Sequence, residues 1–196
     1  MKQQKILFIL VLLALVVVGI LLLSSKFHTP AQVTTSTPSV IPISCIKTQL
    51  NRNENIYRCS AYSIKLSSGW MENGSEHAEF MNYDPDKAPG RSYDPTLDKG
   101  KLKFGITVYN TTYDLRTIAT RQAKLLEQKI ISITPLTINN YPAIKVYSKH
   151  PLGYNVNTYY IQDLSKTLVA ETSPIFGYDN TSDFENQILS TFTFVK

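Results

Sequence analysis

Three histidines, two cysteines, a group of loop acids and an abundance of tyrosine are the residues of this 196-residue chain whose types and spacing could carry chemistry. A hydrolytic triad needs a nucleophile, a base and an acid that orients the base. His28 sits in a Thr/Ser/Pro-rich stretch, and His150 lies beside Pro151 in a turn, where it reads as solvated. His77, between Glu76 and Glu79, could join a carboxylate cluster. It lacks the H-E-x-x-H spacing that puts two ligands on one helical face. No nucleophile elbow, phosphate-binding glycine loop or nucleotide fingerprint occurs. Asp84, Asp86, Asp94 and Asp98 offer oxygen ligands of the kind Ca²⁺ takes. They lack the regular acid–glycine–glutamate spacing of a calcium loop, and Asp84 and Asp94, each followed by proline, read as turn formers. The pattern implies no metal, no cofactor and no enzyme of a familiar kind.

Two other sets stand out. Cys45 and Cys59 are the only cysteines. In an exported chain an isolated pair reads as a disulfide, and a loop of this length would stabilise the fold by about 3 kcal/mol in the chain-entropy model. The tyrosines Tyr147, Tyr154, Tyr159 and Tyr160, with Tyr141, fall on neighbouring predicted strands. An exposed aromatic face would suit a glycan or a partner protein, because each ring offers apolar area and a polar tip. Tyrosine also favours strands and half-buried positions for packing alone. Both readings stand at this level. Trp70, after a glycine turn, reads as a core anchor.

The element that would position all of these is Ile6–Leu23, an apolar run without a charge. About 18 residues at 1.5 Å give a helix of about 27 Å, close to the ~30 Å hydrocarbon core of a bilayer. Lys2 and Lys5 precede it, which places residues 1–5 in the cytoplasm and everything from Ser24 outside. A cleaved signal would have a shorter apolar run ending in small residues. Here Leu21, Leu22 and Leu23 run into Ser24-Ser25-Lys26, so an uncleaved single-pass anchor is the favoured reading over a cleaved signal or a buried core helix. Residues 24–44 are rich in Thr, Ser and Pro and read as an extended tether. Residues 45–196 are then the extracytoplasmic domain, of a size for one core. Net charge is +5, but Lys2, Lys5 and Lys26 lie ahead of the domain and no acid precedes Glu54. The domain therefore carries a small positive excess without the basic cluster of a nucleic-acid footprint. Lys99, Lys101 and Lys103 alternate as one strand face would. Asn73, Asn110 and Asn180 open Asn-x-Ser/Thr sequons.

Within the domain, periodicity predicts a strand over Ile56–Leu66 with Tyr62, Ile64 and Leu66 on one face, and a short one over Ala78–Asn82. A long loop follows over Tyr83–Gly100, then a clear strand over Lys101–Tyr109. Apolar residues at helical spacing predict a helix over Asp114–Ile130, capped by Thr112 or Asp114. Ile131–Ile138 and Ala143–Lys149 read as a strand pair joined at Asn139-Asn140, a turn pair able to take positive φ. Strands over Tyr154–Ile161 and Thr167–Thr172 follow, then a short helix opened by the capping-box spacing Ser182-x-x-Glu185 and a terminal strand holding Phe192 and Phe194. The order predicts an α+β fold with a mainly antiparallel sheet.

This order, with Tyr62-Ser-Ile-Lys-Leu-Ser-Ser-Gly-Trp70, Ile138-Asn-Asn-Tyr-Pro-Ala143, Tyr159-Tyr160-Ile161 and Ile188-Leu-Ser-Thr-Phe-Thr-Phe194, resembles the PsbP-like family. Proline usual in that family two residues before the tryptophan is Ser68 here. The resemblance implies an α/β/α sandwich around an antiparallel sheet, and no role in oxygen evolution. No family metal-binding or docking positions match, so none are carried over. The expectation for function is a membrane-tethered, extracytoplasmic, non-enzymatic binding or accessory domain, partnered with the membrane through its N-terminal helix and with a protein or glycan outside. An exported enzyme with an unfamiliar site and a small-molecule or lipid carrier are the alternatives.

Overall fold

The structure is a computed structural model that describes residues 37–73, 78–84, 100–176 and 184–195. The anchor, residues 24–36 of the expected tether, His28, His77, Asp86, Asp94, Asp98 and the Ser182 of the capping box lie outside the described residues. Among the described residues no helix is long and apolar enough to cross a membrane.

Among the described residues the elements are two antiparallel sheets and one α-helix, an α+β arrangement that is mostly sheet. The larger, nine-stranded sheet is organised around β7 (Leu102–Asn110). On one edge β7 takes β1 (Ser39–Ile41) and β6 (Glu79–Met81), and β5 (Met71–Asn73) follows β6. On the other edge β7 takes β11 (Leu168–Thr172) and β12 (Ile175–Phe176). The sheet continues from β11 through β10 (Asn155–Gln162) and β9 (Tyr141–Lys149) to β8 (Lys129–Ile138). The smaller sheet runs β13 (Thr193–Phe194), β4 (Tyr62–Ser67), β3 (Glu54–Cys59), β2 (Cys45–Asn51).

Alternation sorts the large sheet into two faces. Phe104, Ile106, Val108, Tyr159, Ile161 and Ala170 point toward the smaller sheet, where they meet Tyr57, Tyr62, Ile64 and Leu66 in one core. Aromatic rings dominate it: Phe104 lies 5.1 Å from Phe80, 5.4 Å from Trp70 and 5.2 Å from Phe184 between ring centroids. Trp70 is buried as expected, and its carbonyl accepts the Tyr57 hydroxyl at 2.9 Å. The opposite face presents Tyr109, Ile144, Val146, Tyr160 and Val169 to Ile118 and Ala119 of α1 (Leu115–Leu125). Phe184–Ile188, a π-helical turn, and Leu189–Thr191, a 3-10 turn, close the aromatic side with Phe184, Ile188 and Leu189 buried. That face is thus covered by a second sheet together with one short helical segment.

Several elements depart from the pattern read in the sequence. The strand over Ile56–Leu66 is two strands, β3 and β4, turned at Ser60-Ala61 and paired from Arg58↔Ser63 to Glu54↔Ser67. Apolar residues on both sides of that turn hid the reversal. Within the stretch read as a tether, Ser39–Ile41 is a short strand that pairs with Asn110–Val108. The helix begins where Asp114 caps it, its carboxylate accepting the Thr117 N–H at 2.9 Å. It ends at Leu125 rather than Ile130. Glu127 takes φ 54°, its N–H reaches the Lys124 carbonyl, and the Gln128 N–H reaches the Ala123 carbonyl at 2.8 Å. Those two bonds are a Schellman closure, which satisfies the last carbonyls. Ile130, counted on the helical stripe, belongs to β8.

The β8–β9 hairpin turns at Asn139 and Asn140, with φ 45° and 68°, as the asparagine pair predicts. Pro135 does not break β8, because β8 is an edge strand with an outer side where a missing N–H costs no ladder bond. Cys45 and Cys59 stand directly opposite each other in the β2–β3 ladder and form the disulfide.

Candidate functional site

Three rungs cross β8, β9 and β10 on the aromatic face and grade from core to solvent. The innermost is Leu136–Ala143–Ile161, the next Thr134–Lys145–Tyr159, the outermost Ser132–Tyr147–Asn157. Ala143 and Ile161 are buried with the core. Beyond them the face is no longer covered and opens as a groove of about 420 Å³ lined by Ser132, Thr134, Leu136, Lys145, Tyr147, Asn157 and Glu185. Strand alternation alone puts Lys145 and Tyr147 on one side of β9. Glu185 arrives from the π-helical turn, which is held in place by Phe184 packed on Phe104 and Tyr159.

Glu185 is the hub of the groove. Its Oε1 accepts the Lys145 ammonium at 2.8 Å and the Tyr159 hydroxyl at 2.8 Å. Lys145 Nζ also lies 5.5 Å from the Tyr159 ring centroid. Among the described residues Oε2 has no partner. Burial alone would raise the Glu185 pKa. The hydrogen bonds from Lys145 and Tyr159, with the charge of Lys145, outweigh it and hold the carboxyl below its ordinary value. Burial, then the bond to Glu185, pushes the Tyr159 phenol well above its usual range, so it stays a donor. The groove therefore presents a fixed ammonium, a carboxylate with one oxygen unpaired among the described residues, one amide, two aliphatic hydroxyls and the phenol ring of Tyr147.

The four tyrosines expected to share an exposed face do not. Tyr159 and Tyr160 are neighbours in one strand, so they point to opposite faces, and both are buried. Tyr160 packs under α1. Tyr154 is exposed but stacks on His150, 4.4 Å between centroids, at the β9–β10 turn. Tyr147 alone of the four lines the groove, and Tyr159 is buried beneath it in hydrogen-bond contact with Glu185. Lys145, Asn157 and Glu185 were not singled out in the sequence. Alternation along β9 and β10 could have added Lys145 and Asn157 to Tyr147. The only local mark on Glu185 is the capping-box spacing, which points to a helix start and not to a groove, and Lys145 lies 40 residues away.

A second acid–tyrosine set lies on the other face. Glu171 accepts the Tyr109 hydroxyl at 2.9 Å and is also bonded by Tyr160. As a residue it keeps some accessible surface, but its carboxyl is desolvated. Burial raises its pKa, and the two phenol bonds only partly oppose that. Among the described residues no three His, Cys, Asp or Glu side chains gather as metal ligands.

The site and scaffold define a class: a disulfide-stapled, two-sheet α+β domain with a polar surface groove and no buried metal cluster among its described residues. No family model matches the chain, and no curated protein matches it. Among solved structures, the chain resembles at the level of fold cyanobacterial PsbP (CyanoP) from Synechocystis sp. PCC 6803, at 7% identity and a TM-score of 0.39, with 87% of this chain and 99% of that chain covered. It is also similar to PA94, a protein of unknown function from Pseudomonas aeruginosa, at 13% identity and a TM-score of 0.35, covering 71% and 88%.

Proposed function

We propose that the chain is a membrane-tethered, extracytoplasmic binding domain, and that the β8–β10 groove takes a polar ligand of the glycan class. The observation that carries the ligand class is the groove lining. Tyr147 offers a ring to the apolar face of a sugar, while Asn157, Ser132, Thr134, Lys145 and the spare oxygen of Glu185 match ring hydroxyls in both donor and acceptor sense. Hydroxyl, amide, ammonium and carboxylate groups favour such a ligand over a lipid tail. The uncharged run Ile6–Leu23 after Lys2 and Lys5 supports the tether, and the Cys45–Cys59 disulfide fits an oxidising compartment. The test is a glycan microarray probed with the full chain in mild detergent. Binding that falls at least tenfold in Tyr147→Ala and in Asn157→Ala is the expected result. A bound glycan retained by both variants, or no glycan bound at all, overturns the ligand class.

A further inference from the structure

We propose that β2 is a homodimerisation edge, on which a second copy of this chain adds its own β2 in antiparallel register about Thr48. The inference goes beyond the groove and uses none of its residues.

The edges of the two sheets are protected to different degrees. β8 is the longest edge strand, but Pro135 removes a donor in its middle and a bulge at Ile131 shifts its register. β5 and β13 are three and two residues long. β2 runs seven residues without proline, pairs only with β3 among the described residues, and has its bulge confined to the end, between Gln49 and Asn51. Its outer edge is therefore the longest uninterrupted set of free backbone groups in the described fold.

The register on that edge follows from the hydrogen bonds on the inner one. Ser60 N–H donates to the Ser44 carbonyl at 3.0 Å, and Cys45 faces Cys59 in the next, non-bonded pair. Antiparallel ladders alternate bonded and non-bonded pairs. The N–H and C=O groups of Cys45, Lys47 and Gln49 consequently point away from β3. A second β2 must pair odd residue with odd residue. Lys47 against Lys47 opposes two cations. Lys47 against Gln49 avoids that, and it places the two-fold axis at the non-bonded pair Thr48–Thr48. In this register Ile46 of each copy meets Leu50 of the other. These are the two large apolar residues β2 exposes, at 72% and 44%. One register thus covers both exposed apolar side chains, opposes no like charges and joins the two four-stranded sheets edge to edge. An interface of one strand per copy is small, so the dimer is a weak one in solution. If the tether reading holds, confinement of both copies to one membrane raises their effective concentration.

The test uses the full chain in detergent micelles. Thr48→Cys, at the two-fold, is expected to give a disulfide-linked dimer on mild oxidation at least tenfold faster than Arg116→Cys on the exposed side of α1, with the Cys45–Cys59 bridge verified by peptide mapping. Thr48→Lys, which sets two cations against each other, is expected to weaken self-association at least tenfold in sedimentation equilibrium while leaving the circular dichroism spectrum unchanged. Equal crosslinking at positions 48 and 116, a monomer at every concentration, or a dimer that Thr48→Lys leaves intact would each overturn the proposal.

Discussion

The two faces of the large sheet meet the same problem, a glutamate beside tyrosine hydroxyls, and solve it with different chemistry. On the α1 face Glu171 is held by Tyr109 and Tyr160 with no cation in contact among the described residues, and burial raises its pKa. On the groove face Glu185 is held by Tyr159 and Lys145, is a third exposed, and its pKa is lowered. The packing differs in the same sense. The groove side rests on a cluster of stacked and edge-on rings, Phe80, Phe104, Trp70 and Phe184, while α1 rests on Ile144, Val146 and Val169 mixed with Tyr109 and Tyr160. Large rings hold the π-helical turn that delivers Glu185 to a wet groove. The dry face keeps its acid as a structural acceptor. Solvent and one lysine, rather than the tyrosines, set the two carboxylates apart.

The sharpest way to break this comparison is to remove the support of one face. Phe104→Ala deletes the ring shared by Phe80, Trp70 and Phe184, and about 4 kcal/mol of stability should go with it. Urea unfolding measures that. A loss below about 1 kcal/mol would mean that the aromatic cluster is not what carries the turn.

Next in size is Glu171→Ala. It leaves the Tyr109 and Tyr160 hydroxyls without an acceptor in residues that are 8% and 3% exposed. An orphaned buried donor costs about 1–3 kcal/mol, so a loss of about 3 kcal/mol is expected. Glu185→Ala gives up a solvated ion pair worth less than about 1 kcal/mol and orphans one buried phenol, Tyr159, rather than two, so a smaller loss of about 1–2 kcal/mol is expected. Equal losses in the two variants would erase the distinction between a structural and a ligand-facing acid.

What the sequence made legible follows from how local each signal is. Asp114 and the Asn139-Asn140 turn act through bonds and φ values within a few residues, and both were readable. The end of α1 was not, because its Schellman closure uses Glu127 at a position where glycine is the usual marker. The reversal between β3 and β4 was masked by apolar residues on both sides of Ser60. The Cys45–Cys59 pair was legible because two cysteines allow one bridge. The tyrosine face failed on simple geometry, since Tyr159 and Tyr160 cannot share a side of one strand. The groove itself depends on Glu185 meeting Lys145 across 40 residues, a pairing set by tertiary packing alone.

The smallest effect is the most diagnostic, because the two acids should respond to pH with opposite signs. In the unfolded chain each carboxyl loses its proton near its ordinary value of 4.5. Folded Glu171 keeps its proton to higher pH, so the native state binds more protons and stability falls as pH rises from that value through the raised one. Folded Glu185 gives its proton up earlier, so its contribution is present above the ordinary value and is lost as pH falls through the lowered one. Glu171→Gln keeps an acceptor and should gain on the parent protein as pH rises. Glu185→Gln should match it in acid and lose on it as pH rises from the lowered value to the ordinary one. Urea midpoints of the three proteins across the carboxyl range decide the matter. Parallel pH profiles for the two variants would mean that Lys145 and the open groove do not set the Glu185 charge, and the ligand-facing role of that carboxylate would lose its physical basis.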